Sequence, residues 1–181
     1  MKKAIEMTVE ELVKAYYISL YGDDKIKLGS GPAAERDGAI ETIKARKPEI
    51  LSYLLTKRQA EQDRAARRAA NRKAIEGLAE LEAAHEDLDK WEDEFADSFK
   101  TVGGLGVRPK PEYDFEGMKQ KYPGAAALFR AESIANQSNY NLAAIGQKAV
   151  DSILDNPADY EQTIAQMDKE YAEEIERHMW D

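Results

Sequence analysis

The stretch Ala79 to Phe99, AELEAAHEDLDKWEDEFADSF, holds nine carboxylates and one lysine. Directly before it, Lys57 to Lys73, KRQAEQDRAARRAANRK, holds seven basic side chains and two acids. These residue types suit charge recognition rather than bond making. On the helical phase set by Leu81, Leu88 and Phe95, the acids Glu82, Glu86, Asp87, Asp89, Asp93, Glu94 and Asp97 avoid the apolar seam. Carboxylates three or four positions apart on a helix stand about 5–6 Å apart, a spacing not far from that of successive phosphates. Such a face can imitate a nucleic-acid backbone before a basic protein groove. The other assignment is internal, with the basic run folded against the acidic run as an antiparallel pair. Arg64, Arg67, Arg68 and Arg72 share one broad helical face able to bind phosphates with salt-dependent affinity. No aromatic is interleaved with them for stacking bases.

Other chemistry is sparse. The chain has no cysteine, which excludes disulfides, thiolate metal sites and cysteine nucleophiles and suits a reducing, cytoplasmic setting. It has two histidines. His85 has Glu82, Asp89 and Glu92 at helical neighbour spacing, too thin a set for a metal, which needs several converging ligands. His178 sits near the end of the last helical pattern, where the helix dipole favours a cation. No HExxH, GxSxG or DxDxDG motif is present, and the glycines of Val102 to Pro111 lack the lysine of a phosphate loop. Acids on a solvated face do not make a general acid–base pair, which needs a pocket. Neither catalysis, nor a cofactor, nor a bound metal is expected.

Charge is unevenly distributed within the net −9. Residues 1–74 carry 16 basic and 11 acidic side chains, a balance of +5. Residues 75–111 carry 4 and 10, and residues 112–181 carry 6 and 14. Such polarity points to charged partners. No apolar run approaches the ~20 residues of a membrane span, and MKKAIEMTVEEL has no apolar core of a secretory signal.

The elements that must position these charges are mainly helical. Thr8-Val9-Glu10-Glu11 is a capping box. Tyr16, Ile18 and Leu20, then Ile26 and Leu28, alternate across Gly22-Asp23-Asp24 as a β-hairpin before Gly29-Ser30-Gly31-Pro32. A helix is expected from about Ala33 to Arg46 and another from Pro48, with Ile50, Leu51, Leu54 and Leu55 buried. Residues 56–74 offer alanines and no large apolar side chain. Leu81, Leu88 and Phe95 fall seven apart, a coiled-coil-like seam under three heptads long and compatible with a homodimer. Gly77 weakens the helix, so a folded-back hairpin is expected rather than one rod over 48–100. Residues 102–111 read as a Gly/Pro linker. Beyond them lies a helical bundle, with the amide-rich run Asn136 to Asn141 between two helices and a stripe of Tyr160, Ile164, Met167, Tyr171, Ile175 and Met179 on the last. The expected division is therefore 1–56, 57–101, 102–111 and 112–181.

The order helix–hairpin–helix–helix, carried by YISLYGDDKIKLGSGP and AIETIKARKPEILSYLL, resembles the TubC-type docking domains of megasynthase subunits. That resemblance implies docking of a protein by a hairpin edge or helix face. The C-terminal stretch from KYPGAAALFRAESIANQSNYNLAAIGQKAVDSILDNPADYEQTIAQMDKEYAEEIERHMWD looks like small accessory proteins of phages and mobile elements of Firmicutes. An acidic, cysteine-free helical chain of this size is similar to the type II-A anti-CRISPR proteins. This second resemblance implies binding to Cas9, or its guide-RNA complex, and obstruction of DNA recognition or target search. The alternative expectation is a mobile-element adaptor that binds nucleic acid through its basic helix.

Overall fold

The computed structural model describes residues 3–29, 38–102 and 106–179, and the side chains of residues 3–29, 38–100 and 106–177. The expected Gly29–Pro32 turn, the helix start near Ala33, Gly103, Gly104 and Leu105, and the side chain of His178 fall wholly or partly outside those residues. The described elements are α1 (Val9–Ala15), β1 (Ile18–Tyr21), β2 (Lys25–Leu28), α2 (Ala39–Ala45), α3 (Lys47–Ala74), α4 (Leu78–Val102), α5 (Phe115–Lys121), α6 (Pro123–Ala135), α7 (Tyr140–Asp155) and α8 (Tyr160–Met179), with 3-10 turns at Ala4–Glu6 and Pro157–Asp159. The fold is mainly α, with one small hairpin, one long helix and a C-terminal helical bundle. The chain divides into two compact units, Met1–Ala65 and Ala66–Asp181.

In the first unit, Thr8 caps α1 by accepting from Glu11 N at 3.1 Å while Thr8 N donates to Glu11 at 2.8 Å, the reciprocal box its sequence requires. The strands pair antiparallel, with Ser19 opposite Lys27 and Tyr21 opposite Lys25. Leu12, Tyr16, Ile18, Ala39, Ile43, Ile50 and Leu54 form the core. Tyr17, between the buried Tyr16 and Ile18, has φ +50°. Tyr16 is the C-cap of α1, so Tyr17 takes the left-handed position that usually falls to glycine or asparagine. A bulky side chain there costs about 1–2 kcal/mol. The helix expected over 33–46 does not run unbroken, because residue 38 lies in a turn and α2 begins at Ala39.

α3 runs 28 residues without a break, roughly 42 Å at 1.5 Å per residue. Pro48 stands in its first turn, where its missing N–H leaves no bond unmade. The rod expected to break at Gly77 does so: α3 ends at Ala74, and Gly77 has φ +73°. A Cβ there would lie 2.0 Å from the Tyr122 ring, so both backbone and space demand glycine.

The second unit packs α4, α5, α7 and α8 around α6. Its core comprises Leu78, Leu81, Ala125, Ala127, Leu128, Ala131, Ile134, Ala149, Val150, Ile153 and Met167. The alanines of α6 allow α7 to approach closely, and a Cβ on Gly146 would stand 2.3 Å from Ala135 N and 2.8 Å from Ala131 O. The amide run resolves into a loop between α6 and α7. Asn139 caps α7 by accepting from Asn141 N and Leu142 N, and Asn141 Nδ2 donates to the buried Glu174 at 2.6 Å. Gly146→Ala must push α6 and α7 apart, and is expected to cost about 1–3 kcal/mol, read as a lower urea midpoint. An unchanged midpoint contradicts this packing.

Candidate protein-binding surface on the acidic helix

The basic run 57–73 reaches its partners through the last turns of α3. Burial cannot hold these turns, which lack large apolar side chains, so hydrogen-bonded charge does. Arg68 binds Asp155 through both carboxylate oxygens, at 2.6 and 2.8 Å, and Asp151 Oδ1 at 2.9 Å. The Asp155 bonds first, and then the charges of both acids, hold its pKa above the usual arginine value. Between them Asn71 donates to Leu154 O at 2.8 Å. One turn on, Arg72 bridges Glu132 of α6 and Glu82 of α4, which raises its pKa too, mainly through Glu132. Residues 68, 71 and 72 lie on one helical face, as the i, i+3, i+4 rule places them.

The four-arginine phosphate-binding face read from the sequence is therefore divided. Arg64 and Arg67 are exposed, whereas Arg68 and Arg72 are half-buried and spend their donors on acids of α7, α6 and α4. The antiparallel clasp of basic against acidic run is met at one point among the described residues. Its described contact is Arg72 with Glu82, at the corner between the helices, while Arg68 turns to the far end of α7.

The seven acids of α4 separate into two groups. Glu82 is held by Arg72, Asp97 by Lys100 at 2.8 Å, and Asp87 and Glu94 by Arg108 at 2.7 and 3.2 Å. Glu86, Asp89 and Asp93 are exposed and make no hydrogen bond or ion pair among the described residues. Their i, i+3, i+7 spacing puts all three on one face of α4.

Arg108 lies in the segment read as a plain linker. Its described residues 106–111 belong instead to the second unit, and Arg108 is fastened to α4. Trp91 Nε1 donates to Arg108 O at 2.8 Å, Arg108 also donates to Asp87 O at 2.9 Å, and the Lys110 ammonium stands 5.3 Å from the Trp91 ring centre. Tyr113 donates to Asp87 at 2.9 Å. The Tyr113 bond first, then Arg108, lowers the Asp87 carboxyl below its usual range, and the Tyr113 phenol is raised in return. The lone arginine and tyrosine among prolines are the available signal, and a weak one, because Gly and Pro mark loops without saying what the loops touch.

The heptad seam holds for half its length. Leu78, Leu81 and Ala84 are buried, whereas Phe95 is 38% and Phe99 58% exposed. Trp91 stacks on Phe95 with ring centres 5.0 Å apart, and Phe99 meets Phe95 edge-on at 4.8 Å, at the end of α4 where the core has finished. His85 is explained by packing, its ring lying 4.3 Å from Phe115 and 4.2 Å from Phe129. It borders an open groove over α6, where Arg130 stands 2.7 Å from Asp168 as an ion pair without an aligned N–H bond. Among the described residues no three His, Asp or Glu side chains converge as a metal site, and no helix is long and apolar enough to cross a membrane.

Compared with protein-family models, curated proteins and solved structures, the chain has no match.

Because Asp87 has a depressed pKa, its bonds to Arg108 and Tyr113 contribute at neutral pH and are lost as pH falls through the folded value, below about 3.9. In a Trp180→Phe background, Trp91 emission is expected to hold steady from neutral pH through the mildly acidic range. Asp87→Asn should change that emission at neutral pH, and the difference between the two proteins should vanish in strong acid. Release of the native contact well above the ordinary carboxylate range contradicts the arrangement.

Proposed function

We propose that this chain is a non-catalytic inhibitor that binds Cas9, presenting the outer face of α4 to a basic nucleic-acid groove. The observation that carries the reading is the row Glu86, Asp89 and Asp93, exposed and without an ion pair among the described residues, on a helix where Arg72 and Arg108 engage Glu82, Asp87 and Glu94. A row of like charges at helical neighbour spacing costs stability by mutual repulsion. Among the described residues these three form no ion pair to offset that cost, and a cationic partner offsets it. The fastening of α4 by Arg72 at one end and Arg108 further along keeps the row straight before binding, which lowers the ordering cost of association. The basic partner is drawn by charge, so its encounter rate falls as salt rises. The choice of Cas9 among basic partners comes from the resemblance of the C-terminal stretch. The adaptor reading is less favoured, because two of its four arginines are committed to the second unit's own acids.

The intact chain is expected to co-purify with the Cas9–guide complex and to suppress target cleavage when in molar excess. The triple change Glu86→Lys, Asp89→Lys, Asp93→Lys should remove both effects with helicity and urea midpoint retained, since these side chains hold nothing in the fold. Normal cleavage with the intact chain in excess, or inhibition that survives the triple change, overturns the proposal.

A further inference from the structure

The hairpin's open face has a composition that the fold does not use. Tyr17 is 72% and Tyr21 66% exposed, and Ser19 between them faces solvent. On β2, Lys27 stands opposite Ser19 and Lys25 opposite Tyr21. Both ammonium groups are exposed and have no ion-pair partner among the described residues. An open cleft beside β2 is lined by Tyr21, Lys25 and Lys27 and also by Lys47, a further cation. Tyr17 sharpens the anomaly. Folding would place glycine or asparagine at this left-handed C-terminal helix position, and instead the chain holds an exposed aromatic ring there under strain. Gly29 N donates to Tyr17 O at 3.1 Å, so the mouth of the hairpin locks the strained residue in place. Strain retained where packing does not need it is a pointer to use.

Two exposed aromatic rings, Tyr21 on the strand and Tyr17 at the mouth of the hairpin, beside lysines make a platform on which unpaired bases stack while ammonium groups follow the phosphates. We propose that the exposed face of the β1–β2 hairpin binds single-stranded nucleic acid, with Tyr17 and Tyr21 stacking on bases and Lys25 and Lys27 neutralising phosphates. An extended peptide adding to the edge of β2 would pair through backbone N–H and C=O groups and would leave the rings on the face unused. A duplex hides its base faces and offers the tyrosines nothing to stack on.

The test is fluorescence anisotropy of a labelled oligothymidylate titrated with the full chain at low salt. Affinity is expected to fall as salt rises. Tyr17→Gly, which relieves the strain and so keeps the fold, should weaken binding about tenfold or more, as should Tyr21→Thr. Lys25→Gln with Lys27→Gln should lower the slope of log affinity against log salt by about 1.4, the share of two phosphates on a single strand. Absence of binding overturns the proposal, as does equal binding of poly-glutamate or of duplex DNA. Binding lost on Arg64→Gln with Arg67→Gln and untouched by both tyrosine changes overturns it too.

Discussion

The second unit depends on guanidinium–carboxylate bonding at the end of α3. Residues 60–74 contain no apolar side chain larger than alanine, so hydrophobic burial cannot dock them. Arg68 on Asp151 and Asp155, and Arg72 on Glu132 and Glu82, take that role with short, partly buried, charge-assisted bonds. Each removes a cation from water, and the bonds to two acids apiece offset that desolvation. Arg72 has the wider consequence, since it joins α3 to both α6 and α4 at the corner set by Gly77.

From that corner α4 departs with its acids already sorted. Carboxylates near the body of the unit meet Arg72 and Arg108, and the outer row meets solvent. The apolar stripe of the same helix outruns the core, leaving Phe95 and Phe99 edge to face in the open. The end of α4 thus offers acids on one face and aromatics on another, while the hairpin of the first unit offers tyrosines and lysines. The polarity of charge in the sequence corresponds to two surfaces of opposite character, each carried by an element with its own internal fastening.

Much of the framework was legible because local chemistry decides it. The capping box at Thr8, the alternation of Tyr16 to Leu28, Pro48 at a helix start, the break at Gly77 and the amide loop before α7 all follow from a few neighbouring residues. The partners of charges were not legible. Arg68 meets an acid 87 positions away and Arg108 meets one 21 positions away, and no periodicity records such pairings. Phe95 sits at a heptad position yet lies in the open, because a seam predicts a face and not the extent of what covers it. His85 looked like a thin metal ligand set until Phe115 and Phe129 were placed around it, and Phe129 comes from a helix far along the chain. The candidate site is a remainder, the acids left after internal partners are assigned, and remainders emerge only from the fold.

The two charged runs meet at Arg72 and Glu82, and the rest of the hold on the end of α3 comes from acids of α6 and α7. Amide hydrogen exchange over residues 66–74 tests it most directly. Asp151→Asn with Asp155→Asn is expected to collapse protection there, whereas Glu86→Gln, Asp89→Gln and Asp93→Gln together should leave it unchanged. Loss of protection on neutralising the outer acids, with none on neutralising Asp151 and Asp155, would show that α3 is clasped by α4 and would contradict the account.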